Sequence, residues 1–172
     1  MNGVIHVFHD HLIFQGQRYR CAIGRNGMID ASLKREGDGK TPTGSYPIRR
    51  IFYRADRMTL PRVNFPTHII TKTDGWCDAP NHPQYNQHIT LPFDASHETL
   101  WRDDHRYDIV GVLGHNDNPP QPNMGSCIFF HIAEENYAPT AGCVAVAMND
   151  MLQLLEKLQL PAQMRMMDQV SE

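Results

Sequence analysis

The sequence predicts a mostly β domain: a β-sandwich or barrel-like sheet with one or two helices packed on it. Short apolar runs are separated by Gly, Pro, Asn and Asp, which is typical of strands joined by turns. Strand and helix patterns do not alternate, and the clearest helical pattern stands near the C-terminus. With 172 residues, 41% hydrophobic and 20% charged, the chain has the size and composition of a globular domain. We therefore expect residues 1–172 to form a single domain.

The first third of the chain predicts strands and turns. Residues 4–8, 11–14 and 18–23 are short runs with apolar, β-branched or aromatic residues, and residues 24–27 carry a Gly-Arg-Asn-Gly turn signal. Residues 34–44 are polar and rich in turn formers, so we predict a surface loop there. These features place three strands before the first long loop.

The middle of the chain combines strand patterns with an irregular stretch. Residues 45–53 and 67–73 are the next strand candidates. Residues 74–92 contain several Pro, Asn and Asp residues and predict a long loop, a kind of segment that is often functional. Ser96 can cap a short helix that would end at Trp101.

The last third contains the strongest patterns. In order, they indicate a buried strand at 109–114, a loop at 115–125, strands at 127–132 and 143–147, a helix capped by Asn149 or Asp150, and a closing strand at 162–167. The helix is indicated by an apolar face at the spacing i, i+3, i+4, i+7, formed by Met151, Leu154, Leu155 and Leu158. The total is about eight strands and one or two helices.

A cysteine and a histidine in the last third carry the clearest chemical signal. His131 precedes Cys143 by twelve residues, and a cysteine is nucleophilic as a thiolate, whose proton a nearby histidine can take. Alternation along the strand points Val144 and Val146 into a core, and it points Cys143 and Ala145 the other way. We predict that Cys143 is a nucleophile and His131 its base. The alternative is that both are packed residues, because free cysteine is commonly buried.

A turn over residues 139–142 stands directly before Cys143. Gly142 has no side chain to block close approach, and it tolerates unusual dihedral angles. The backbone N–H groups of Gly142 and Cys143 can therefore face a developing oxyanion.

Ten histidines raise the question of a metal site. His6, His9 and His11 cluster near the start, but no carboxylate follows with the spacing of a zinc site. A second possible set, which would form a zinc peptidase, consists of His97, Asp104 and His115. No H-E-x-x-H and no E-x-x-H motif completes that set. We expect no metal ion at either set.

Charge and hydropathy exclude several classes of function. The formal net charge is −3 and no basic run is present, which argues against nucleic acid as a partner. No apolar run is long enough to span a membrane. The N-terminus lacks the features of a signal peptide. We expect a cytoplasmic protein as the sequence is written, and a periplasmic or cell-envelope protein if a leader is missing or export is non-classical.

Several segments together resemble the L,D-transpeptidase catalytic domain, also called the YkuD-like domain. They are LKREGDGKTPTGSYPI, DGWCDAP, YNQHI, SHETLWRDDHRYDIV and GSCIFFHIAEENYAPTAGCVAV. The resemblance runs from about Lys34 to the end of the C-terminal helix. Its most specific parts are the K-x-E-G-D-G-K-T-P-x-G loop and the pair formed by the His and the [ST]-x-G-C motif. The chain looks closest to a compact, single-domain branch of this family.

The resemblance implies a mostly β fold and an enzyme of cell wall biogenesis. It implies that Cys143 is the nucleophile, that His131 is the base, and that Thr140 and Gly142 occupy the [ST]-x-G-C positions. The family attacks the amide after the third residue of a peptidoglycan tetrapeptide stem, releases D-alanine and transfers the acyl group to an amine. The resemblance implies no metal and no organic cofactor.

Two positions depart from the family pattern. Ile132 stands where a glycine usually follows the His, and Ala145 stands where Arg or Asn usually follows the Cys by two residues. We expect other polar groups to recognise the substrate. The candidates are Arg54, Arg57, Trp76, His115, Asn116 and Asp117. A backbone carbonyl is expected to orient His131, with Asp117 and Glu134 as alternatives.

Two further functions remain open beside acyl transfer. The same Cys143 and His131 could hydrolyse peptidoglycan or related fragments, as an amidase or carboxypeptidase does. A non-catalytic module could instead keep the cleft for a glycan or a peptide, with Cys143 buried and unreactive.

Overall fold

The computed structural model describes residues 3–168, and in that range the chain forms fourteen strands and one α-helix. The strands are β1 (Val4–Val7), β2 (His11–Phe14), β3 (Gln17–Arg20), β4 (Met28–Ile29), β5 (Thr41–Pro42), β6 (Gly44–Tyr53), β7 (Thr67–Ile69), β8 (Asp74–Cys77), β9 (His88–Thr90), β10 (His97–Thr99), β11 (Ile109–Leu113), β12 (Phe129–Ile132), β13 (Val144–Val146) and β14 (Gln163–Met166). The helix is α1 (Met148–Lys157), and a 3-10 turn covers Ala31–Leu33. The predicted fold class, mostly β with a packed helix, is confirmed.

One large sheet organises the molecule. Its strand order is β13-β12-β11-β6-β14-β1-β2-β3, and β7 pairs with β6 beside this path. Just beyond β3, Ala22 exchanges two backbone hydrogen bonds with Ala145 of β13, with N to O distances of 2.8 and 2.9 Å. This bridge joins the two ends of the sheet, so the sheet is nearly closed like a barrel. The closure falls two residues after Cys143.

The larger hydrophobic core lies on one face of β12 and β13. Phe130 and Val144 are fully buried there together with Met151, Leu154 and Leu155 of α1. Burial of a large apolar side chain stabilises a fold by about 1.5–3 kcal/mol. The predicted inward direction of Val144 and Val146 and the predicted apolar face of the helix are therefore confirmed.

A smaller core lies on the opposite face of β12. Trp76, Leu100, Tyr107 and Phe129 form it together with Cys143. A second sheet has three strands in the order β10-β8-β9. Trp76 lies on β8, and Leu100 directly follows β10. The small sheet thus packs beside the face of β12 that carries His131.

The small sheet corrects two predictions. Residues 74–92 contain β8 and β9 rather than one continuous loop, and residues 96–101 contain β10 rather than a helix capped by Ser96. These strands are three or four residues long, too short to show a period, and β8 contains Gly75. Their pairing comes from long-range partners, as between Trp76 and His88.

The helix starts earlier than predicted, because its N-cap residue lies two or three positions before Asn149 or Asp150. The helix α1 begins at Met148 with Ala147 as N-cap residue, and no side chain caps it. Asn149 and Asp150 lie inside the first turn. The carboxylate of Asp150 still interacts favourably with the helix dipole from this position.

In the described part of the chain, no helix is long and apolar enough to cross a membrane. The four cysteines all lie in this part, and each is a free, buried thiol.

Candidate active site

Cys143 and His131 face the same side of two adjacent strands. Strands β12 and β13 are parallel, and their register pairs His131 with Ala145 and Phe130 with Val144. Cys143 is one residue earlier, and its Sγ accepts a hydrogen bond from the Phe129 N–H at 3.5 Å. Since side chains alternate along a strand, Phe129 and His131 share the face opposite the larger core. The pair singled out from the sequence is thus brought together beside one cavity.

The Cys143 thiol is held in its neutral form. Its Sγ donates a hydrogen bond to the Cys127 carbonyl at 3.1 Å rather than to His131. Burial raises the pKa of Cys143 to about 12, and the negative charge of Glu98 adds to the rise. The Phe129 N–H and the positive charges of Lys34 and Arg106 act in the opposite direction. The resting cysteine is therefore a protonated thiol.

His131 is also neutral, and its tautomer follows from its contact. Nδ1 lies 2.9 Å from the Ile132 carbonyl, which can only accept a hydrogen bond. Nδ1 therefore carries the proton and Nε2 is the basic nitrogen. Burial lowers the pKa of His131 to about 4, and Arg106 and Arg102 contribute to the lowering. The Tyr107 ring packs against the imidazole edge to face, with 5.3 Å between ring centroids.

The group that orients His131 is the Ile132 carbonyl, in agreement with the expectation of a backbone carbonyl. Of the two alternatives, Asp117 is bound to Arg49 at 2.8 Å, and Glu134 lies 3.6 Å from Arg106. Neither carboxylate is the partner of Nδ1.

Thr140 and Gly142 shape the turn before the cysteine. The Thr140 hydroxyl donates to the Cys143 carbonyl at 2.7 Å and accepts from the Gly142 N–H at 3.0 Å. Gly142 has a φ of +144°, and a Cβ atom there would lie 2.9 Å from the Lys40 carbonyl oxygen. A side chain is therefore excluded by both the backbone conformation and the space. The Gly142 N–H, expected to face an oxyanion, is instead bound within the turn.

The loop at residues 34–44 supports this turn and is not simply a surface loop. The Thr41 hydroxyl donates to the Gly142 carbonyl at 2.8 Å. Lys34 is only 2% exposed, and its Nζ donates to Asp38 at 2.5 Å. Lys34 and Glu36 also border a small cavity of about 70 Å³ that reaches Cys143. The K-x-E-G-D-G-K-T-P-x-G segment thus forms one wall of the site.

Cys143 and His131 open into a cavity of about 450 Å³. The small side chain of Ala145 lines it beside them. Two guanidinium groups, those of Arg102 and Arg106, line the same cavity. They bring two positive charges to a lining that also contains Glu98 and Glu134.

The two arginines share one carboxylate. Arg102 Nη2 lies 2.6 Å from Asp104 and Arg106 Nη2 lies 2.9 Å from it. These contacts hold the pKa of Asp104 well below its usual range. The side chains of Arg102 and Arg106 are 31% and 40% exposed, so solvent reaches both groups. Each guanidinium has donors left for a substrate carboxylate.

Arg54 and Arg57, the arginines expected to bind substrate, do not line the Cys143 cavity. Arg54 is 3% exposed, donates to Asp56 and stacks on Trp101 with 3.5 Å from Cζ to the ring centroid. Arg57 donates to Asp108 at 2.7 Å and to two backbone carbonyls. In this structure both arginines brace the segment that follows β10.

The remaining candidates line other regions. Trp76 and Asp117 border a separate cavity of about 590 Å³. His115 is buried with its Nε2 at 3.0 Å from the Met124 carbonyl. Asn116 donates to backbone carbonyls of its own loop. None of the four lines the Cys143 cavity.

The possible zinc peptidase set is not assembled. His97 Nδ1 contacts the Ala95 carbonyl, Asp104 is bound by the two arginines, and His115 contacts the Met124 carbonyl. The N-terminal histidines are also dispersed, because His9 contacts Asp168 and His11 contacts Asp10.

Sequence reasoning missed Glu98, Arg102, Arg106 and Asn86. Glu98 lines the cavity beside Cys143, and its carboxylate accepts a hydrogen bond from the Tyr107 hydroxyl. Asn86 accepts from both Trp76 and the Cys127 N–H, so it positions the carbonyl that holds the thiol. A signal for the first three was present: the segment SHETLWRDDHRYDIV concentrates charge just before a buried strand.

Comparison with known proteins gives one match. A family model described as "YkuD: L,D-transpeptidase catalytic domain" matches residues 8–166, nearly the whole chain. Neither the curated proteins nor the solved structures give a significant match.

Proposed function

Because this chain belongs to the L,D-transpeptidase catalytic domain family, we propose that it is a cysteine acyltransferase that acts on peptidoglycan stem peptides. The observation that carries the proposal is the placement of Cys143, directly before β13, and of His131, on the adjacent β12, where both line one cavity. Because the Ile132 carbonyl binds Nδ1 of His131, Nε2 is the basic nitrogen. That arrangement suits a nucleophile and its general base.

The reaction starts from a neutral pair. As the Cys143 sulfur attacks the substrate carbonyl carbon, His131 Nε2 takes the thiol proton. The C–N bond of the tetrahedral intermediate then breaks, and His131 returns that proton to the leaving amine. The product is a thioester on Cys143 and a free amino acid. An acceptor amine attacks the thioester in the second half of the reaction and regenerates the thiol.

The burial of the pair determines the forms from which the proton is transferred. A neutral thiol and a neutral imidazole are the forms that a buried site favours. A charged imidazolium forms only when the substrate fills the cavity. The developing oxyanion of the substrate then balances its positive charge, and the leaving amine takes up its proton. The Cys143 N–H is our candidate oxyanion donor, since the Gly142 N–H is bound to Thr140. One such donor contributes about 3–4 kcal/mol to transition-state stabilisation.

Substrate recognition falls to Arg102 and Arg106 in this proposal. The terminal residue of a stem tetrapeptide carries a carboxylate, and a guanidinium binds a carboxylate through two parallel hydrogen bonds. These two arginines line the cavity, whereas Arg54 and Arg57 are held by Asp56 and Asp108. Arg102 and Arg106 thereby take over from the polar residue that the family usually has at the position of Ala145.

Hydrolysis is the second candidate, and the exposure of the arginine rim favours it. Because Arg102 and Arg106 are partly exposed, water can reach the cavity that holds the thioester. Transfer and hydrolysis then differ only in the nucleophile that attacks the acyl-enzyme.

Product analysis tests this proposal. We expect the protein to release the terminal amino acid from a stem tetrapeptide, and to form an amide product when a diamino-acid acceptor is added. Tripeptide as the only product, with or without the acceptor, would establish a hydrolase. Cys143→Ala should abolish both products, whereas the matched control Cys21→Ala, a buried thiol outside the cavity, should retain them. Product formation by Cys143→Ala within tenfold of wild type would overturn the mechanism.

A further inference from the structure

Three side chains outside the Cys143 cavity point their ligand atoms at one spot. His68 of β7, Asp74 of β8 and His88 of β9 place those atoms within 4.8 Å of one another. His68 Nε2 lies 3.0 Å from Asp74 Oδ1, and His88 Nε2 lies 2.7 Å from the same oxygen. Among residues 3–168, these three side chains form the group of histidine, cysteine and acidic residues that lie close enough together to hold one ion.

We propose that His68, Asp74 and His88 form a binding site for a divalent transition-metal ion, with Zn²⁺ the best-matched ion. Two imidazoles and one carboxylate are a recurring ligand set for Zn²⁺, which leaves a further position for water or a ligand. Ligand atoms that share a tetrahedral Zn²⁺ lie roughly 3.3 Å apart, given metal distances of about 2.0–2.2 Å. The two contacts with Asp74, at 2.7 and 3.0 Å, are a few tenths of an ångström shorter than this spacing, and all three ligand atoms lie within 4.8 Å, so side-chain adjustment brings them to one ion.

The carboxylate is fixed for this task. Asp74 Oδ2 accepts hydrogen bonds from the Thr71 N–H at 2.7 Å and the Thr71 hydroxyl at 2.9 Å. These contacts leave Oδ1 for the two histidines. Hydrogen bonds of this kind orient ligands in metal sites and strengthen binding.

The imidazoles are held in place but remain accessible. The Phe52 ring packs against both, with centroid distances of 4.7 Å to His68 and 5.1 Å to His88. The side chains of His68 and His88 are 40% and 27% exposed, whereas that of Asp74 is 8% exposed. An ion can thus enter from solvent and displace the protons that now bridge the nitrogens to the carboxylate.

The position of the group gives the ion a structural consequence. His68 lies on β7, which pairs with β6 of the large sheet, while Asp74 and His88 lie on the small sheet. An ion held by all three would therefore tie the two sheets together. The small sheet also carries Glu98, which lines the Cys143 cavity. Metal binding should accordingly stabilise the whole domain.

The test is Zn²⁺ titration of the full chain by calorimetry, after removal of metals with a chelator. We expect one tight equivalent for the wild type. His68→Gln and His88→Gln should each weaken binding by more than about 100-fold, since even indirect partners of a metal cost 10- to 100-fold. Zn²⁺ at 100 times its dissociation constant should raise Tm by roughly 5–10 °C in the wild type. The double variant should show no such rise.

The matched control is His105→Gln. His105 forms a similar contact with a carboxylate, 2.7 Å to Asp108, but no second histidine joins it. This variant should bind Zn²⁺ like the wild type, and bound Co²⁺ should give the visible absorption of a tetrahedral site only where His68 and His88 are intact. If the wild type binds Zn²⁺ no more tightly than the double variant, or if His9→Gln rather than His68→Gln removes the site, the proposal is wrong. Should His88→Gln fail to fold, His68→Gln decides on its own.

Discussion

The Cys143 cleft and the His68–Asp74–His88 cluster use histidine in opposite ways. His131 is buried, its Nδ1 contacts a neutral carbonyl, and burial lowers its pKa to about 4. His68 and His88 are partly exposed and contact one carboxylate, which attracts positive charge. The contact partner and the burial of a histidine, and not the residue type, therefore decide whether it suits the role of a base or that of a ligand or ion-pair partner.

The largest effect is expected from removing the base of the cleft. His131→Ala should lower kcat/KM for acylation by about 10²–10⁴-fold, because general-base catalysis is lost while Cys143 stays in place. The exposed, carboxylate-bound His105 is the matched control, and His105→Gln should keep the wild-type value. The measurement is the acylation rate of each variant and of the wild type with a stem tetrapeptide. A decrease in kcat/KM of less than tenfold in His131→Ala would mean that the buried His131 does not act as the base.

A smaller effect is expected at the charged rim of the cleft. Arg102→Ala and Arg106→Ala should each lower kcat/KM by about 10- to 200-fold, the worth of ~1.5–3 kcal/mol of carboxylate binding. Iodoacetamide labelling of Cys143 should be unchanged in Arg102→Ala and slower in Arg106→Ala, because the charge of Arg106 favours the thiolate. The control is Arg18→Ala, whose side chain is 64% exposed and lies outside the cavity. Equal kinetics in all three variants would show that recognition lies elsewhere.

The low pKa of His131 also predicts how stability depends on pH. The ordinary pKa of about 6.5 applies in the unfolded chain and a pKa of about 4 in the folded one. The unfolded state therefore binds the proton first as the pH falls. The contribution of His131 to the free energy of unfolding is fully present above pH 6.5. Roughly 3 kcal/mol of it is lost as the pH falls from about 6.5 to 4.

Urea denaturation across this pH range measures that loss. His131→Gln cannot titrate, so its free energy of unfolding should fall less steeply than that of the wild type over the same range. Parallel curves for the two proteins would mean that His131 is not held neutral by burial, and the contrast with the exposed cluster would fail.

The smallest effect is expected in the turn that shapes the cleft. Thr140→Val removes a hydroxyl that both donates to the Cys143 carbonyl and accepts from the Gly142 N–H. The free energy of unfolding should fall by about 1–2 kcal/mol. Thr140→Ser keeps the hydroxyl and should lie closer to the wild type in urea denaturation. Indistinguishable Val and Ser variants would show that these two hydrogen bonds contribute little.

The sequence predicted the parts of the fold that local patterns determine. The strands predicted at 45–53 and 109–114 correspond to β6 and β11. β11 is an apolar run that is buried throughout, and β6 shows the aromatic and β-branched residues typical of a strand. The apolar face of α1 follows from its 3.6-residue period. The strands β8, β9 and β10 were missed because three or four residues show no period, and partners distant in the chain stabilise them.

The site could be predicted in part, for a related reason. Cys143 and His131 stand in a motif, so their shared face follows from alternation and a turn. The protonation of both groups could not be predicted, because burial determines it. Arg102 lines the cavity, whereas Arg54 does not, because Asp56 and Trp101 hold Arg54 elsewhere. The sequence does not reveal those contacts. His68, Asp74 and His88 likewise meet only once two sheets pack together.

The central claim is that Cys143 alone of four buried thiols carries the acyl group. Mass spectrometry of peptides from the protein, quenched after mixing with a stem tetrapeptide, tests it most directly. The wild type should show the mass of the tetrapeptide less its terminal amino acid on the peptide that contains Cys143, and Cys143→Ala should show no adduct. An adduct on Cys127, Cys77 or Cys21, or product formation without any adduct on Cys143, would contradict the account.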